Sequence, residues 1–290
     1  MGRSSIEEAG NSGISILRNS TKGKLMQLIY EPKVKVATVS VFRDYDLKDY
    51  ASGMHAQNTH SLDHIPEFAG RVCYQSFKNP RPGGNRGYIG HILEVGHGSV
   101  LEHSYVGLLI TGVSRSLTHE LIRHRAGTAI SQLSQRFCEP DNLGYIVPPL
   151  IIRDLVAEQC FKSEVTAASA SYDRMLNVCT TAISRRWQDD HPDETADREA
   201  LTYIRKKARE AARSVLPNSI ETHLFMSGKL RAWRNILEQR GSIHADLEIR
   251  RLAVAIAREI YVYATSVFQD MHIFIDVDGY ESLRFDHRKV

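Results

Sequence analysis

Helical periodicity dominates the second half of the chain and constrains the fold more than any other feature. Apolar residues recur at helical spacing through residues 151–187 and 194–214, and the longest amphipathic pattern covers residues 244–271. The first half holds stretches typical of strands at 26–43, which is rich in β-branched residues, and at 103–112. Since strands and helices do not alternate regularly, the sequence predicts an α+β fold.

The two ends of the chain are predicted to lie outside a single domain that covers residues 26–275. Residues 1–25 are rich in Ser, Gly, Asn and Lys, which is typical of a flexible tail. Residues 276–290 carry no clear pattern and are predicted to form a C-terminal tail. The composition, with 42% hydrophobic and 24% charged residues, is that of an ordinary globular protein.

Charge and cysteine content argue against several classes of protein. The formal net charge of +3 is too small to predict a protein that coats nucleic acid. The four cysteines form no CxxC pair and are too few for a disulfide scaffold, which favours a reducing, cytoplasmic setting. No apolar run reaches the roughly 18–20 residues that a membrane-spanning helix needs. His119 and His124 lie about 140° apart around a predicted helix, so they predict no metal site.

The sequence RHRAGTAISQLSQRF, at 123–137, is the strongest candidate for a binding site. Arg123, His124 and Arg125 end a helix predicted over 114–125, where the helix dipole favours cations. Consecutive helical side chains point about 100° apart, so these three suit an extended ligand, or two ligands on either side, rather than one small anion. Donors suited to a phosphate and a hydrogen-bonding ring follow the turn at Gly127, namely Ser131, Gln132, Ser134, Gln135 and Arg136. These residues alone are equally consistent with two interpretations. One is a site for a nucleotide or phosphorylated cofactor, and the other is a solvated basic loop.

Three separate segments of the chain resemble one known family. The stretch at 123–137 resembles the signature of the flavin-dependent thymidylate synthases (the ThyX family), an Arg-His-Arg followed by a Ser after seven or eight residues. VGHGSVLEH at 95–103 resembles the family's Gly-His-x-Ser/Thr-x-x-Glu-His segment, and residues 212–250 resemble its C-terminal substrate and flavin segment. The resemblance covers about residues 30–270, and three blocks in the family's order make it specific.

The resemblance implies a fold, a reaction and a set of ligands. The family fold is α+β, with a central, mostly antiparallel sheet flanked by helices, in a homotetramer whose active sites are shared between subunits. The implied enzyme is a methyltransferase that converts dUMP to dTMP for thymidylate biosynthesis. Methylenetetrahydrofolate would supply the carbon, and FAD, reduced by NADPH, would supply the hydride. The expected partners are therefore these small molecules and further copies of the chain, with no nucleic acid and no membrane.

Site residues follow from the positions that match the family's motifs. The resemblance implies flavin contacts at Ser99, Arg123, His124, Arg125, Gln132, Lys229, Leu230, Arg231, Asn235 and His244. It implies dUMP contacts at Glu120, Leu121, Ile122, Arg123, Gln132, Leu133, Ser134, Gln135, Arg136, Arg213 and Arg240. Arg240 is also the implied catalytic residue, because a fixed guanidinium beside the uracil ring stabilises the negative charge that activates C5.

The sequence departs from the family pattern at a few positions and leaves two other functions open. Ile130 stands where an aromatic residue is common, Phe137 replaces a frequent Tyr, Gln132 replaces a frequent Glu, and Lys229 stands where some members carry Asn. One alternative is a flavin enzyme that hydroxymethylates the same nucleotide, which the sequence does not distinguish. The other is a nucleic-acid-binding protein, whose affinity would fall steeply with salt.

Overall fold

The computed structural model describes residues 14–18, 25–43, 47, 61–138, 143–152 and 154–288. In chain order, the strands are β1 (Ile14–Arg18), β2 (Leu25–Ile29), β3 (Lys33–Val39), β4 (Tyr105–Ser114), β5 (Thr128–Gln132), β6 (Tyr145–Ile146), β7 (Glu221–Lys229), β8 (Met271–Ile275) and β9 (Glu281–Phe285). The α-helices are α1 (Ser61–Tyr74), α2 (Gly84–Glu94), α3 (Arg115–Leu121), α4 (Leu155–Asp190), α5 (Arg198–Ala212), α6 (Leu230–Arg240) and α7 (Leu247–Tyr261). Short 3-10 helices cover Gly98–His103, Pro149–Ile151 and Arg213–Val215.

The described residues fall into two compact units. The first unit takes its residues from Met1–Glu31, Gly112–Ser116 and Gln132–Thr222. The second takes its residues from Pro32–Thr111, Leu117–Ser131 and His223–Val290. The chain therefore passes between the units several times.

The first unit combines a small sheet with a long helical hairpin. Its sheet has the order β1-β2-β6, with β1 antiparallel and β6 parallel to β2. Helix α4 begins where Asp154 accepts hydrogen bonds from two backbone amides of the first turn, and Asp197 caps α5 in the same way through Ala200. The two helices pack against each other. A core around Leu28, Tyr145 and Val165 joins the sheet to α4.

The second unit holds most of a four-stranded sheet, in the order β3-β4-β7-β5, and β3 pairs antiparallel with β4. Helix α7 packs against β3, α6 and the β8–β9 hairpin. Trp233 on α6 is fully buried, and its indole N–H donates to the Val106 carbonyl at 3.1 Å. This packing fixes α6, which carries several of the predicted site residues.

The mixed architecture with an antiparallel sheet agrees with the predicted α+β class, but several boundaries differ. The predicted strand at 26–43 is two strands, β2 and β3. The predicted helix at 244–271 ends at Tyr261, although Val267 and Phe268 remain fully buried at helical spacing. Further along the predicted helix, the buried carboxylate of Asp63 accepts hydrogen bonds from the amides of residues 266 and 267 at 3.0 Å each. Those amides serve a long-range contact instead of a helix, which local periodicity does not reveal.

The two predicted tails, residues 1–25 and 276–290, differ in how much of them the structure describes. Most of residues 1–25 lies outside the described residues, apart from β1. The segment 276–290 contains β9, in which Leu283 and Phe285 are only 4% exposed. Within the described part of the chain, no helix is long and apolar enough to cross a membrane.

Candidate functional site

The three residues of the RHR sequence line one cavity of the second unit. Helix α3 ends at Leu121, earlier than predicted, so Arg123, His124 and Arg125 lie in the loop that follows it. The expectation that they point in different helical directions is therefore wrong. The cavity measures about 670 Å³ and is lined by Arg123, His124, Arg125, Ala126, Ala232, Asn235, Ile236, Gln239, Arg240, His244 and Ala245.

A second cavity, of about 350 Å³, adjoins the first. It is lined by Glu102, Ala126, Gly127, Lys229, Arg231, Ala232, Asn235 and Glu238. Ala126, Ala232 and Asn235 line both cavities, so the two form one continuous groove along α6. Gly127 has a φ of 71°, which favours glycine, and its carbonyl accepts from the Lys229 amide at 3.0 Å. This turn places the RHR loop beside the start of α6.

Arg240, at the end of α6, is held by three hydrogen bonds within the second unit. Its Nη1 donates to Glu120 Oε2 at 2.7 Å, and its Nη2 donates to the Glu120 carbonyl at 3.1 Å. Its Nε donates to His124 Nε2 at 2.8 Å. The Arg240 side chain is 17% exposed, so these bonds orient a largely desolvated guanidinium at the cavity wall.

The contact with Arg240 determines the protonation of His124. Because a guanidinium only donates hydrogen bonds, His124 Nε2 must accept and cannot carry a proton. Burial, followed by the charges of Arg240 and Arg123, lowers the pKa of His124 below its ordinary value of 6.5. The imidazole is therefore neutral near pH 7, and any proton on it resides at Nδ1.

Glu102 organises the cations of the second cavity. Its carboxylate accepts from Lys229 Nζ at 2.9 Å and from Arg231 Nη1 at 2.8 Å. Hydrogen bonding to Lys229 and Arg231 lowers the pKa of Glu102, and the bond to Glu102 raises the pKa of Lys229. The sequence reasoning did not assign Glu102, although it lies within VGHGSVLEH, the segment already identified as characteristic. Glu238, Gln239 and the three alanines of the groove had no recognisable signal.

The first unit brings other predicted nucleotide contacts close to several cations. Arg136 forms a salt bridge of 2.8 Å with Glu210 on α5, and its backbone amide lies 3.4 Å from Ser134 Oγ. Burial, and then the charge of Arg213, lower the pKa of Arg115. Because neighbouring guanidinium groups repel one another, an anion bound beside Arg213 and Arg115 would be stabilised.

Two side-chain amides occupy the same segment. Gln132 Nε2 donates to Thr222 Oγ1 at 3.2 Å. Gln135 is 8% exposed, and its Nε2 has no hydrogen-bond partner among the residues that the structure describes. A buried donor without a partner costs free energy unless it binds an acceptor. The Gln135 amide is therefore suited to a ligand oxygen.

The predicted site residues are thus divided between the two units. The second unit holds those on the groove and Glu120, and the first holds residues 132–136 and Arg213. Ser99 is exposed on the 3-10 helix Gly98–His103 and lines neither cavity. Leu121 and Leu230 have buried side chains, at 1% and 0% exposed, so they present only backbone to a ligand.

The side chains of the groove suit an extended anionic cofactor. Arg123, Arg125, Lys229 and Arg231 supply positive charge, and Asn235 supplies a neutral amide. FAD is a cofactor of this kind, with a diphosphate between two ring systems, and the donor set fits it. Among the described residues, no group of three or more His, Cys, Asp or Glu side chains is placed to hold a metal ion.

Comparison with known proteins identifies the family. A family model described as thymidylate synthase complementing protein matches residues 56–264. The flavin-dependent thymidylate synthase of Mycobacterium sp. (strain JLS) is 48% identical over 219 residues, which are 75% of this chain and 83% of that protein. Proteins of the same name from Mycolicibacterium vanbaalenii and Mycobacteroides abscessus are 46% and 44% identical over 219 residues, covering 75% of this chain and 82% of each relative. The chain therefore belongs to the flavin-dependent thymidylate synthase family and is an enzyme of the methyltransferase class.

Proposed function

We propose that this enzyme methylates dUMP at uracil C5 to give dTMP. Methylenetetrahydrofolate donates the one-carbon unit and leaves as tetrahydrofolate, and FAD reduced by NADPH donates the hydride. The observation that carries the proposal is the groove along α6, where the RHR loop, Lys229, Arg231 and Asn235 line adjoining cavities. These are residues that the family resemblance assigns to the flavin.

The groove residues hold the cofactor in this proposal. Arg123, Arg125 and Arg231 bind its phosphates through charge-assisted hydrogen bonds, and Asn235 and His244 contact its polar groups. When bound, the flavin supplies the hydride that converts the transferred methylene to a methyl group. Glu102 keeps Lys229 and Arg231 side by side, which limits the conformational entropy lost when the cofactor binds.

Arg240 activates the nucleotide. A guanidinium beside uracil N3 and a ring carbonyl favours the N3-deprotonated ring, which increases electron density at C5. Glu120 and His124 fix the orientation of Arg240, and neutral His124 adds no competing positive charge. Removing a donor that stabilises a developing charge typically lowers kcat by about 10²–10³-fold.

The nucleotide phosphate is bound by residues of the first unit. Arg136 and Arg213 supply positive charge, and Ser134 supplies a hydroxyl donor. Gln135 supplies a buried side-chain N–H group that has no hydrogen-bond partner among the described residues. The proposed enzyme is a cytoplasmic homotetramer whose active sites are shared between subunits. In such a tetramer, exposed Ser99 can contact a flavin bound to another subunit.

The test is an anaerobic reaction of the purified protein with FAD, NADPH, methylenetetrahydrofolate and dUMP. Mass spectrometry of the nucleotide is expected to show dTMP that depends on NADPH. Arg240→Ala should lower the rate by about 10²–10³-fold. The matched control is Arg258→Ala, which removes an exposed guanidinium paired with Glu281 in the same unit and should leave the rate unchanged.

Other products would change the conclusion. If the product were hydroxymethyl-dUMP, the proposed binding sites would stand, but the reaction would be hydroxymethylation. Unchanged dUMP from a protein that binds no flavin would refute the proposal. Equal rate losses in Arg240→Ala and Arg258→Ala would refute the role of Arg240.

A further inference from the structure

The helical hairpin of the first unit carries a cavity that the proposed reaction does not use. It measures about 520 Å³, within the size range of small-molecule sites. It lies near the end of the hairpin, between the last turns of α4 and the first half of α5. Its walls are formed by Ile183, Arg186, Trp187, Asp190, His191, Tyr203 and Lys207.

The aromatic wall of this cavity is fixed before any ligand binds. The rings of Trp187 and His191 stack with their centroids 4.6 Å apart and their planes 14° apart. His191 Nδ1 forms a hydrogen bond of 2.8 Å with the Trp187 carbonyl, which holds its ring in place. Gln188 Nε2 donates to three carbonyls of the following turn, including that of His191. A rigid aromatic surface loses little entropy on binding a flat ligand.

The charged groups of the cavity are available. Among the residues that the structure describes, neither Arg186 nor Asp190 has an ion-pair partner, and the Tyr203 hydroxyl has no hydrogen-bond partner. In the described part of the chain, the only ion pair of Lys207 is a long contact, 3.5 Å to Glu210, and its side chain is 42% exposed. Two cations, one carboxylate and flat aromatic surfaces therefore face the same space.

We propose that this cavity binds a nucleoside phosphate at a site separate from the catalytic groove. The base lies against Trp187 and Tyr203, since aromatic side chains and nucleobases stack regardless of sequence. Arg186 and Lys207 bind the phosphate through charge-assisted hydrogen bonds. Asp190 accepts a hydrogen bond from a ring N–H or exocyclic amino group of the base.

The same cavity is connected to the proposed dUMP phosphate site, a consequence that rests on the proposed function. Lys207 contacts Glu210, and Glu210 pairs with Arg136 at 2.8 Å. A phosphate that draws Lys207 away leaves Glu210 to neutralise Arg136 more strongly. The KM for dUMP should then rise roughly two- to fivefold, the size expected for changing one exposed ion pair.

Tryptophan fluorescence of the full-length enzyme tests the binding site directly. The chain has two tryptophans, and Trp233 is fully buried, so the partly exposed Trp187 reports on this cavity. The probes are AMP and dTMP, with adenosine and inorganic phosphate as partial ligands. AMP or dTMP should change the fluorescence at saturable concentration, and each partial ligand should bind at least tenfold more weakly, because it lacks one of the two contacts.

Matched variants decide whether the signal comes from this cavity. Arg186→Gln should weaken binding by about tenfold, whereas Arg185→Gln, an exposed neighbour that does not line the cavity, should not. The fluorescence change should disappear in Trp187→Phe. A change that survives in Trp187→Phe, equal effects of the two arginine variants, or no response to millimolar nucleotide would overturn the proposal.

The two nucleotides also identify the preferred base. Tighter binding of AMP would indicate that Asp190 accepts from an amino group, and tighter binding of dTMP would indicate the pyrimidine N3–H. These measurements need no turnover, so they stand even if the proposed reaction fails. If the enzyme is active, the rise in KM for dUMP that AMP causes should be absent from Arg186→Gln; a rise that persists there would refute the connection to Arg136.

Discussion

The pairing of Glu120 with Arg240 gives the most discriminating prediction. Glu120 accepts two of the three hydrogen bonds that orient the Arg240 guanidinium, one through its carboxylate at 2.7 Å and one through its carbonyl at 3.1 Å. Glu120→Ala removes the first and leaves the second. If Arg240 stabilises charge on the uracil ring, the loss of its orientation must lower the rate of the chemical step.

The size of the effect follows from the geometry. A hydrogen bond to a charged group contributes about 1.5–3 kcal/mol. Because the two side chains are 17% and 34% exposed, solvent screens the pair, and about 1–2 kcal/mol is the better estimate. If all of this is expressed in the transition state, kcat falls by about 5–30-fold. Glu120→Gln keeps an acceptor and loses only the charge, so a two- to fivefold decrease is expected.

The assay is single-turnover conversion of dUMP to dTMP, which separates chemistry from binding and product release. The expected order of rates is wild type, Glu120→Gln, Glu120→Ala and then Arg240→Ala. Glu120 is also a predicted dUMP contact, so the affinity for dUMP is measured separately. A wild-type rate in Glu120→Ala, alongside an inactive Arg240→Ala, would show that the pairing does not position Arg240.

Three further predictions concern stability and its dependence on pH. Because folding lowers the pKa of His124, the unfolded chain binds more protons than the folded chain below the ordinary pKa of 6.5, and stability should fall as pH drops below about 6.5. Thermal unfolding from pH 5 to 8 should show a smaller loss of stability for His124→Gln than for wild type, and equal losses would contradict the assignment. Gly241→Ala places a Cβ 2.5 Å from the buried Leu283 side chain, and chemical denaturation should show a loss of about 1–3 kcal/mol, with an unchanged midpoint as the refuting result. Glu221→Ala removes the buried acceptor of two backbone amides, each bonded to it at 3.0 Å. Chemical denaturation should show a decrease in the free energy of unfolding of about 2–4 kcal/mol. A decrease below about 0.5 kcal/mol would show that water replaces the carboxylate.

The candidate site was predictable wherever adjacent residues carry a distinctive pattern. The RHR stretch, Lys229, Arg231 and Asn235 were assigned from family motifs, and the structure brings them onto one groove. Glu102 is the Glu of the Gly-His-x-Ser/Thr-x-x-Glu-His segment, but that segment does not show which residues its carboxylate pairs with. Its partners, Lys229 and Arg231, lie 127 and 129 positions away, so only the folded chain shows that it joins them.

For the fold too, the sequence predicts what depends on local patterns and misses what depends on contacts between distant residues. Periodicity located α4 and α5 within a few residues, because their apolar stripes and the capping residues Asp154 and Asp197 are local signals. It missed β1, β5, β6, β7, β8 and β9, since the pairing of a strand depends on residues elsewhere in the chain. It also carried the last long helix past Tyr261, where a buried carboxylate captures the backbone amides.

The sequence by itself determined the α+β class, the family and the residue types of the groove along α6, because these depend on local periodicity and on contiguous motifs. The tertiary structure decided which charges meet. It paired Arg240 with Glu120 across 120 positions, required neutral His124 to accept from Arg240, and placed Trp187, Tyr203 and two cations around one cavity. Distance and burial set the strength and the protonation of such contacts, and both exist only after the chain has folded.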